Sequence, residues 1–374
     1  MKKYIALVLT LVFLGCSSGS DKPDPQPTDE GKDRSVMLKA LAENVIIPSY
    51  DQFKTKFDLM SAKSKAFTAK PDSQTLTEFR SAWTDAYVAW QRVELFDFGP
   101  AEKQIIRNFF NIYPASEAGI AANITDPTSS LEVPASYPTQ GFPALDYLIN
   151  GLGANDTSIL AHYTTDKDAA KKLAYITRVI ARMDSLLGKV ISDWKGEYLN
   201  TFISKTGLDI GSSTSLMVNG SVLHYERYIR SGKFGIPSGA MASGIPAPEK
   251  VEAFYKKDIS KTLAQTAHKA YVDFFNGRHA VTGQAGPGLK NYLDALGAKD
   301  SGTGKLLTES INAQFQTAAA KLDVLKPNLY EEVKTNNQAM KDTYTEMQKA
   351  VRMLKVDMTS AMSITITYTD NDGD

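Results

Sequence analysis

Seven positions near the C-terminus, Met340, Tyr344, Met347, Val351, Leu354, Met358 and Ala361, alternate steps of four and three without a slip. That spacing lines apolar side chains along one face of a helix, whereas strand side chains alternate every second residue. The pattern recurs. Leu76, Phe79, Trp83, Ala86, Trp90 and Val93 form another seam, opened by Asp72-Ser73 after Pro71 and closed at Gly99-Pro100. A long one runs from about 167 to 205 through Leu173, Ile176, Val179, Ile180, Met183, Leu187, Val190 and Trp194. Further helices are predicted at 36–66 (kinked near Pro48), 213–231, 247–277, 288–297 and 304–324, with loops at 124–141, 151–157, 232–247 and 278–288. The alternating stretch Ile364-Thr365-Ile366-Thr367-Tyr368 has no evident partner strand. Seams of this kind are buried by packing helix on helix, so the predicted class is all-α, built as bundles. At helical spacing, the methionines of the C-terminal seam read as core rather than as a soft-metal face.

An internal echo points to two such bundles. Ala86-Tyr87-Val88 recurs as Ala270-Tyr271-Val272. Gly141-Phe-Pro-Ala-Leu-Asp-Tyr147-Leu148, leading to Leu152-Gly153-Ala154, parallels Gly286-Pro-Gly-Leu-Lys-Asn-Tyr292-Leu293, leading to Leu296-Gly297-Ala298. The expected organisation is a signal segment at 1–15, a tether at 16–34, an N-terminal bundle at 35–210 and a C-terminal bundle at 211–374.

The first segment carries Lys2-Lys3, an apolar run from Ile5 to Leu14, and Gly15-Cys16. The run is too short to span a bilayer and resembles a bacterial lipoprotein signal with Cys16 as the lipidated residue. Acyl chains there would anchor the protein at ~0.8 kcal/mol per buried methylene. Residues 17–34 contain prolines and charges but no large apolar side chain, which suits a solvated tether. The expected location is the cell envelope, lipid-anchored at the outer membrane and facing either periplasm or exterior. Cys16 is the one cysteine, so disulfides and thiolate chemistry are excluded from the fold. Lys plus Arg (42) balances Asp plus Glu (42), leaving no field to attract nucleic acid. Zinc-protease, nucleophile-elbow, phosphate-loop and dinucleotide signatures are absent.

Three segments concentrate chemistry. Trp90 to Glu102 mixes aromatics with Arg92, Glu94 and Asp97. Its plain reading is solvated Arg92 and Glu94 beside a packed Trp90 and Phe98. Gly141 to Leu148 opens a helix with Asp146 in its first turns, where a carboxylate complements the N-terminus. Asn219 to Gly239 holds His224, Tyr228, Glu226 and Arg230. On a helix, Glu226 and Arg230 are one turn apart, and their plain reading is a surface ion pair beside a core histidine. The tail Asp370-Asn371-Asp372-Gly373-Asp374 is spaced like a calcium loop at first, but glycine falls at the wrong position and the closing glutamate is missing.

Taken in order, Trp83 to Pro100, Asn111-Ile112-Tyr113-Pro114, Gly141 to Gly151, Gly232 to Pro237 and the closing Asp372-Gly373-Asp374 resemble the imelysin family, in its Bacteroides-type lipoprotein form. The resemblance implies two helical bundles related by a pseudo-repeat, a site in the groove between them, and a link to iron uptake or peptidase activity. The family hallmark is Gly-x-His-x-x-Glu. Here it reads Gly141-Phe142-Pro143-Ala144-Leu145-Asp146, so proline stands where the histidine should be and aspartate replaces glutamate. Proline offers neither a lone pair to a metal nor a transferable proton. The leading expectation is therefore an envelope protein that binds an iron- or haem-related ligand, with Asp146, Glu226, Arg92, His224, Glu94 and Arg230 as ligand-binding candidates and Asp146 as a metal ligand. A metallopeptidase and a non-catalytic scaffold for other envelope transport components are the alternatives.

Overall fold

The computed structural model describes residues 32–369 apart from residue 242. Cys16, the tether up to residue 31 and the acidic tail from Asp370 lie outside the described residues, while Asp33 and Arg34, expected in the tether, instead cap and begin helix Arg34–Leu41. Those described are predominantly helical, with isolated bridges Arg278–Ala285 and Lys299–Leu306 in place of any strand. The stretch after Ile364 is irregular backbone; the Asn219 side chain holds it by donating to the Thr365 carbonyl (3.0 Å) and accepting from the Thr367 N–H (2.8 Å).

Each predicted seam becomes a buried face. Leu76, Phe79, Trp83, Ala86 and Trp90 lie inside helix Ser73–Trp90, which Asp72 starts with a capping box shared with Thr75. Val93 is buried just beyond the helix end. Met340, Met347, Val351, Leu354 and Met358 are likewise buried, along helix Leu329–Arg352 and the π-helical turn Met353–Met358. Core packing thus accounts for the methionine stripe. The predicted kink near Pro48 is a π-helical turn, Ala42–Ile46, that hands over to helix Ile47–Ala69. Proline has no N–H to donate and is tolerated in a first helical turn. The buried apolar side chains form one contiguous core that includes residues from Met37 to Ile364.

Three boundaries differ from expectation. The 167–205 pattern breaks at Gly196 into helices Ala169–Lys195 and Glu197–Ser204. The segment expected as a loop from 232 continues as a π-helix, His224–Gly235. The helix expected from 247 starts only at Ser260. Before it, residues 248–259 form a 3₁₀ turn, Pro248–Lys250, and tight turns with positive φ at Ala253 and Lys257. Apolar spacing continues through 247–259, but periodicity alone cannot detect a backbone held by tertiary contacts.

Candidate functional site

Four buried charged side chains, Glu94, Arg107, Lys233 and Glu252, gather where residues 87–111 meet residues 224–252. Helix Ser73–Trp90 and the turn after it contribute Tyr87, Gln91 and Glu94; helix Ile106–Phe110 and its end contribute Arg107 and Asn111. From the C-terminal half, the π-helix contributes His224 and Lys233, and the 251–256 turn contributes Glu252. The i→i+5 bonding of a π-helix gives ~4–5 residues per turn, which puts His224, Tyr228 and Lys233 on successive turns. The Ser231 hydroxyl reinforces that wide turn by donating to the Glu226 carbonyl (2.9 Å).

Glu252 is the hub. Oε1 accepts from Asn111 Nδ2 (2.8 Å) and Gln91 Nε2 (3.0 Å) and lies 3.1 Å from the Tyr87 hydroxyl, while Oε2 pairs with Lys233 Nζ. Lys233 also donates to Gln91 Oε1 (2.8 Å). Asn111 Nδ2 reaches Glu94 Oε1 as well (3.1 Å), so one amide bridges two carboxylates. Arg107 Nε stands 3.6 Å from Glu94 Oε1, and its guanidinium lies over the Tyr228 ring. Glu94 is 3% exposed, not solvated; burial raises its pKa against the opposing pull of Lys233 and Arg107. Burial also raises the Tyr87 and Tyr113 hydroxyls.

His224 has no hydrogen-bond partner at either ring nitrogen among the described residues, although it is fully buried. Desolvation, then Arg107 and Lys233, depress its pKa well below the ordinary value, so it is neutral. Arg107 Nε, though ion-paired with Glu94 at 3.6 Å, is a second buried polar atom in the same cluster without a hydrogen bond among the described residues. An unmade buried hydrogen bond costs ~1–3 kcal/mol, so these atoms represent unspent binding capacity.

The other candidates fall elsewhere. Asp146 is buried, but it does not complement its own helix, Gly141–Asp146. Its oxygens accept from the backbone N–H groups of Tyr255 and Lys256 (both 3.0 Å) and from Asn150 Nδ2 (3.0 Å), which latches the turn that carries Glu252. Burial pushes Asp146 up to about 7 against those three donors. Glu226 and Arg230 do come together, at 3.9 Å, but inside the protein and not on the surface. Glu226 also meets Lys355 Nζ (3.2 Å) and the Tyr368 hydroxyl (2.9 Å), and the Arg230 guanidinium lies 5.3 Å from the Tyr344 ring. Arg92 is half-buried and lines an open cleft instead. Of the six ligand-binding candidates, then, the structure joins Glu94 and His224 in one cluster, pairs Glu226 with Arg230 in another, and leaves Asp146 and Arg92 apart.

Lys233, Glu252, Arg107, Asn111, Gln91 and Tyr87 were not among the sequence candidates. The one local signal was Lys233, a lysine set among glycines and Phe234. A metal centre is not built here: among the described residues no group of three or more His, Cys, Asp or Glu side chains is placed to hold an ion. Pro143 is buried in the hallmark hexapeptide and the Asp146 carboxylate is already engaged by three donors, so that motif does not fit a catalytic metal.

Comparison with known proteins agrees with this architecture. A crystal structure of an imelysin-like protein from Psychrobacter arcticum superposes with a TM-score of 0.68 at 18% identity, covering 90% of this chain and 98% of that one. One from Parabacteroides distasonis, assigned as an iron-regulated protein A precursor, gives 0.71 at 16% identity, covering 90% and 97%. At those identities the likeness establishes the fold. Iron-regulated protein A of Synechococcus elongatus is 21% identical over 140 residues, which span 37% of this chain and 38% of that relative's length. The Imelysin family model matches residues 46–358, and the chain belongs to the imelysin family.

Proposed function

We propose that this chain is an iron-related protein of the cell envelope that binds its ligand in the polar chamber between the two bundles at 35–210 and 211–374, with Cys16 as its lipid anchor. Three lines support the reading: the family, the names of two relatives as iron-regulated proteins, and the N-terminal lipoprotein pattern. Among the described residues no helix is long and apolar enough to cross a membrane, so a lipid anchor would supply the attachment. The observation that carries the ligand site is His224, buried with neither ring nitrogen hydrogen-bonded among the described residues, in a cluster where Arg107 Nε also lacks a hydrogen bond.

The chamber's charges define the form of iron it suits. His224 lies in the field of Arg107 and Lys233, and no third protein ligand converges on it. The carboxylates of Glu94 and Glu252 in the cluster are already engaged by Arg107, Lys233 and Asn111, which leaves neither carboxylate free for a bare cation beside His224. Iron that already carries its own acidic ligands would find Arg107 and a neutral imidazole as donors. Peptide cleavage draws no comparable support, because a metallopeptidase needs an open metal position and a general base, and the hallmark hexapeptide supplies neither.

Titration calorimetry of the full chain with Fe(II), Fe(III), iron(III) citrate and haem tests the proposal. Complexed iron is expected to bind, and His224→Ala to weaken that binding at least tenfold. Absence of binding by every form of iron, or binding indifferent to His224→Ala, overturns it.

A further inference from the structure

Arg92 stands apart from that chamber, on a cleft of about 330 Å³ that the earlier reading does not use. One wall comes from the N-terminal half, with Val45, Ser49, Gln52, Arg92 and Phe96; the other comes from helix Ser260–Phe275 and the turn after it. That turn is strapped across the cleft. Ala280 N–H donates to the Asn44 carbonyl (2.9 Å), and Gln52 Nε2 donates to the Ala280 carbonyl (3.3 Å). The volume is at the small end of the range for ligand pockets.

Its lining is a set of donors. Arg92, Lys269 and Arg278 bring three positive charges against the single carboxylate of Asp273. Asp273 is shared by Lys269 (2.5 Å) and Arg278 (3.8 Å), and the Arg92 guanidinium has no partner among the described residues. His279 Nδ1 accepts the N–H groups of Val281 (3.1 Å) and Thr282 (3.3 Å). In the neutral imidazole that leaves the proton, and hence a donor, on Nε2. Ser49 is a second, independent indication: only 7% exposed, it lines the cleft, and no hydrogen bond among the described residues occupies its hydroxyl. A free guanidinium, a hydroxyl and an imidazole N–H on one small cleft with surplus positive charge match the oxygens of an anion.

We propose that this cleft is a binding site for a small oxyanion, a carboxylate or phosphate group, distinct from the His224 chamber. Arg92 supplies the fork of donors that engages the anion, the Ser49 hydroxyl donates to it, and Lys269 and Arg278 set the field that draws it in. Bare cations and neutral ligands are disfavoured by the same charges.

Calorimetric titration of the full chain with inorganic phosphate and, separately, with citrate containing no iron is the test. Binding of at least one probe is expected, weakening as salt is raised. Arg92→Gln and Ser49→Ala should each reduce affinity at least fivefold, while His224→Ala should not change it. Circular dichroism melts of the variants establish that they are folded, and Lys269→Gln gives a milder reduction from a more exposed position. Phosphate alone binding identifies a phosphate group as the occupant; citrate alone identifies a carboxylate. Binding of neither, or affinity unchanged in both Arg92→Gln and Ser49→Ala, overturns the proposal. Loss on His224→Ala overturns the separation of the two sites.

Discussion

At the scale of single residues, burial decides protonation, and two groups pull in opposite directions. His224 has a depressed folded-state pKa, so it contributes stability above the unfolded value of 6.5 that is lost as pH falls. Relative to His224→Phe, the wild type is expected to lose about 1.4 kcal/mol per pH unit below that point, measured by urea denaturation from pH 4 to 8. Asp146 behaves inversely. Its folded-state pKa of about 7 exceeds the unfolded value of 3.8, so its contribution is present below 3.8 and lost as pH rises towards 7. Asp146→Asn should therefore flatten the fall in stability between pH 4 and 7. Asp146→Ala should cost at least about 2 kcal/mol below pH 4, and less as pH rises, because two backbone N–H groups of the 255–256 turn lose their acceptor.

At the scale of elements, local sequence chemistry and long-range packing meet at the hallmark hexapeptide. Gly141 has φ +76°, and a Cβ there would stand 2.3 Å from the Phe110 carbonyl oxygen. The close approach lets Phe142 stack on Tyr87 at 4.6 Å and lets Trp83 Nε1 donate to the Phe142 carbonyl (3.3 Å). Gly141→Ala is accordingly expected to destabilise by about 3 kcal/mol or more, readable as a shift in the urea midpoint without a change in slope. This motif's glycine can thus be explained by packing alone. The π-helix is the complementary case. Helical spacing in 213–231 was legible, but the change to i→i+5 bonding at His224 was not, because it depends on what the turns must reach: Arg107 on one side, Lys355 and Tyr368 on the other.

At the scale of the whole molecule, the buried pair Lys233–Glu252 ties the halves together through Tyr87, Gln91 and Asn111. Removing one partner leaves an uncompensated buried charge. Glu252→Gln should cost about 3–5 kcal/mol, and the double variant Lys233→Met with Glu252→Gln should recover much of that, as measured by chemical denaturation. A recovery would identify the pair as a specificity device more than a source of net stability. The proposed lipid anchor is tested at the same scale. Cys16→Ala should move the protein from the membrane fraction to the soluble fraction after cell lysis, and unchanged fractionation would count against lipidation.

What the sequence determined by itself was the part governed by short-range rules. Apolar steps of three and four predicted the helical class, Asp72 and Pro48 marked an N-terminus and a kink, and the motif order identified the family. The helical class, the N-terminus and the kink depend on neighbours within a turn or two, the range over which periodicity and capping act, and the motif order is read directly along the chain. The buried polar cluster and the cleft depend on contacts between segments more than a hundred residues apart. Gln91 with Glu252 and Asn111 with Glu252 are such pairs, as is Arg92 with the 278–283 turn. No local pattern distinguishes a buried Glu94 from a solvated one, because the difference lies in whether a distant lysine, arginine or amide arrives to offset its desolvation. Only the tertiary structure decided which charges are buried, which donors are left without partners, and therefore where a ligand can be held.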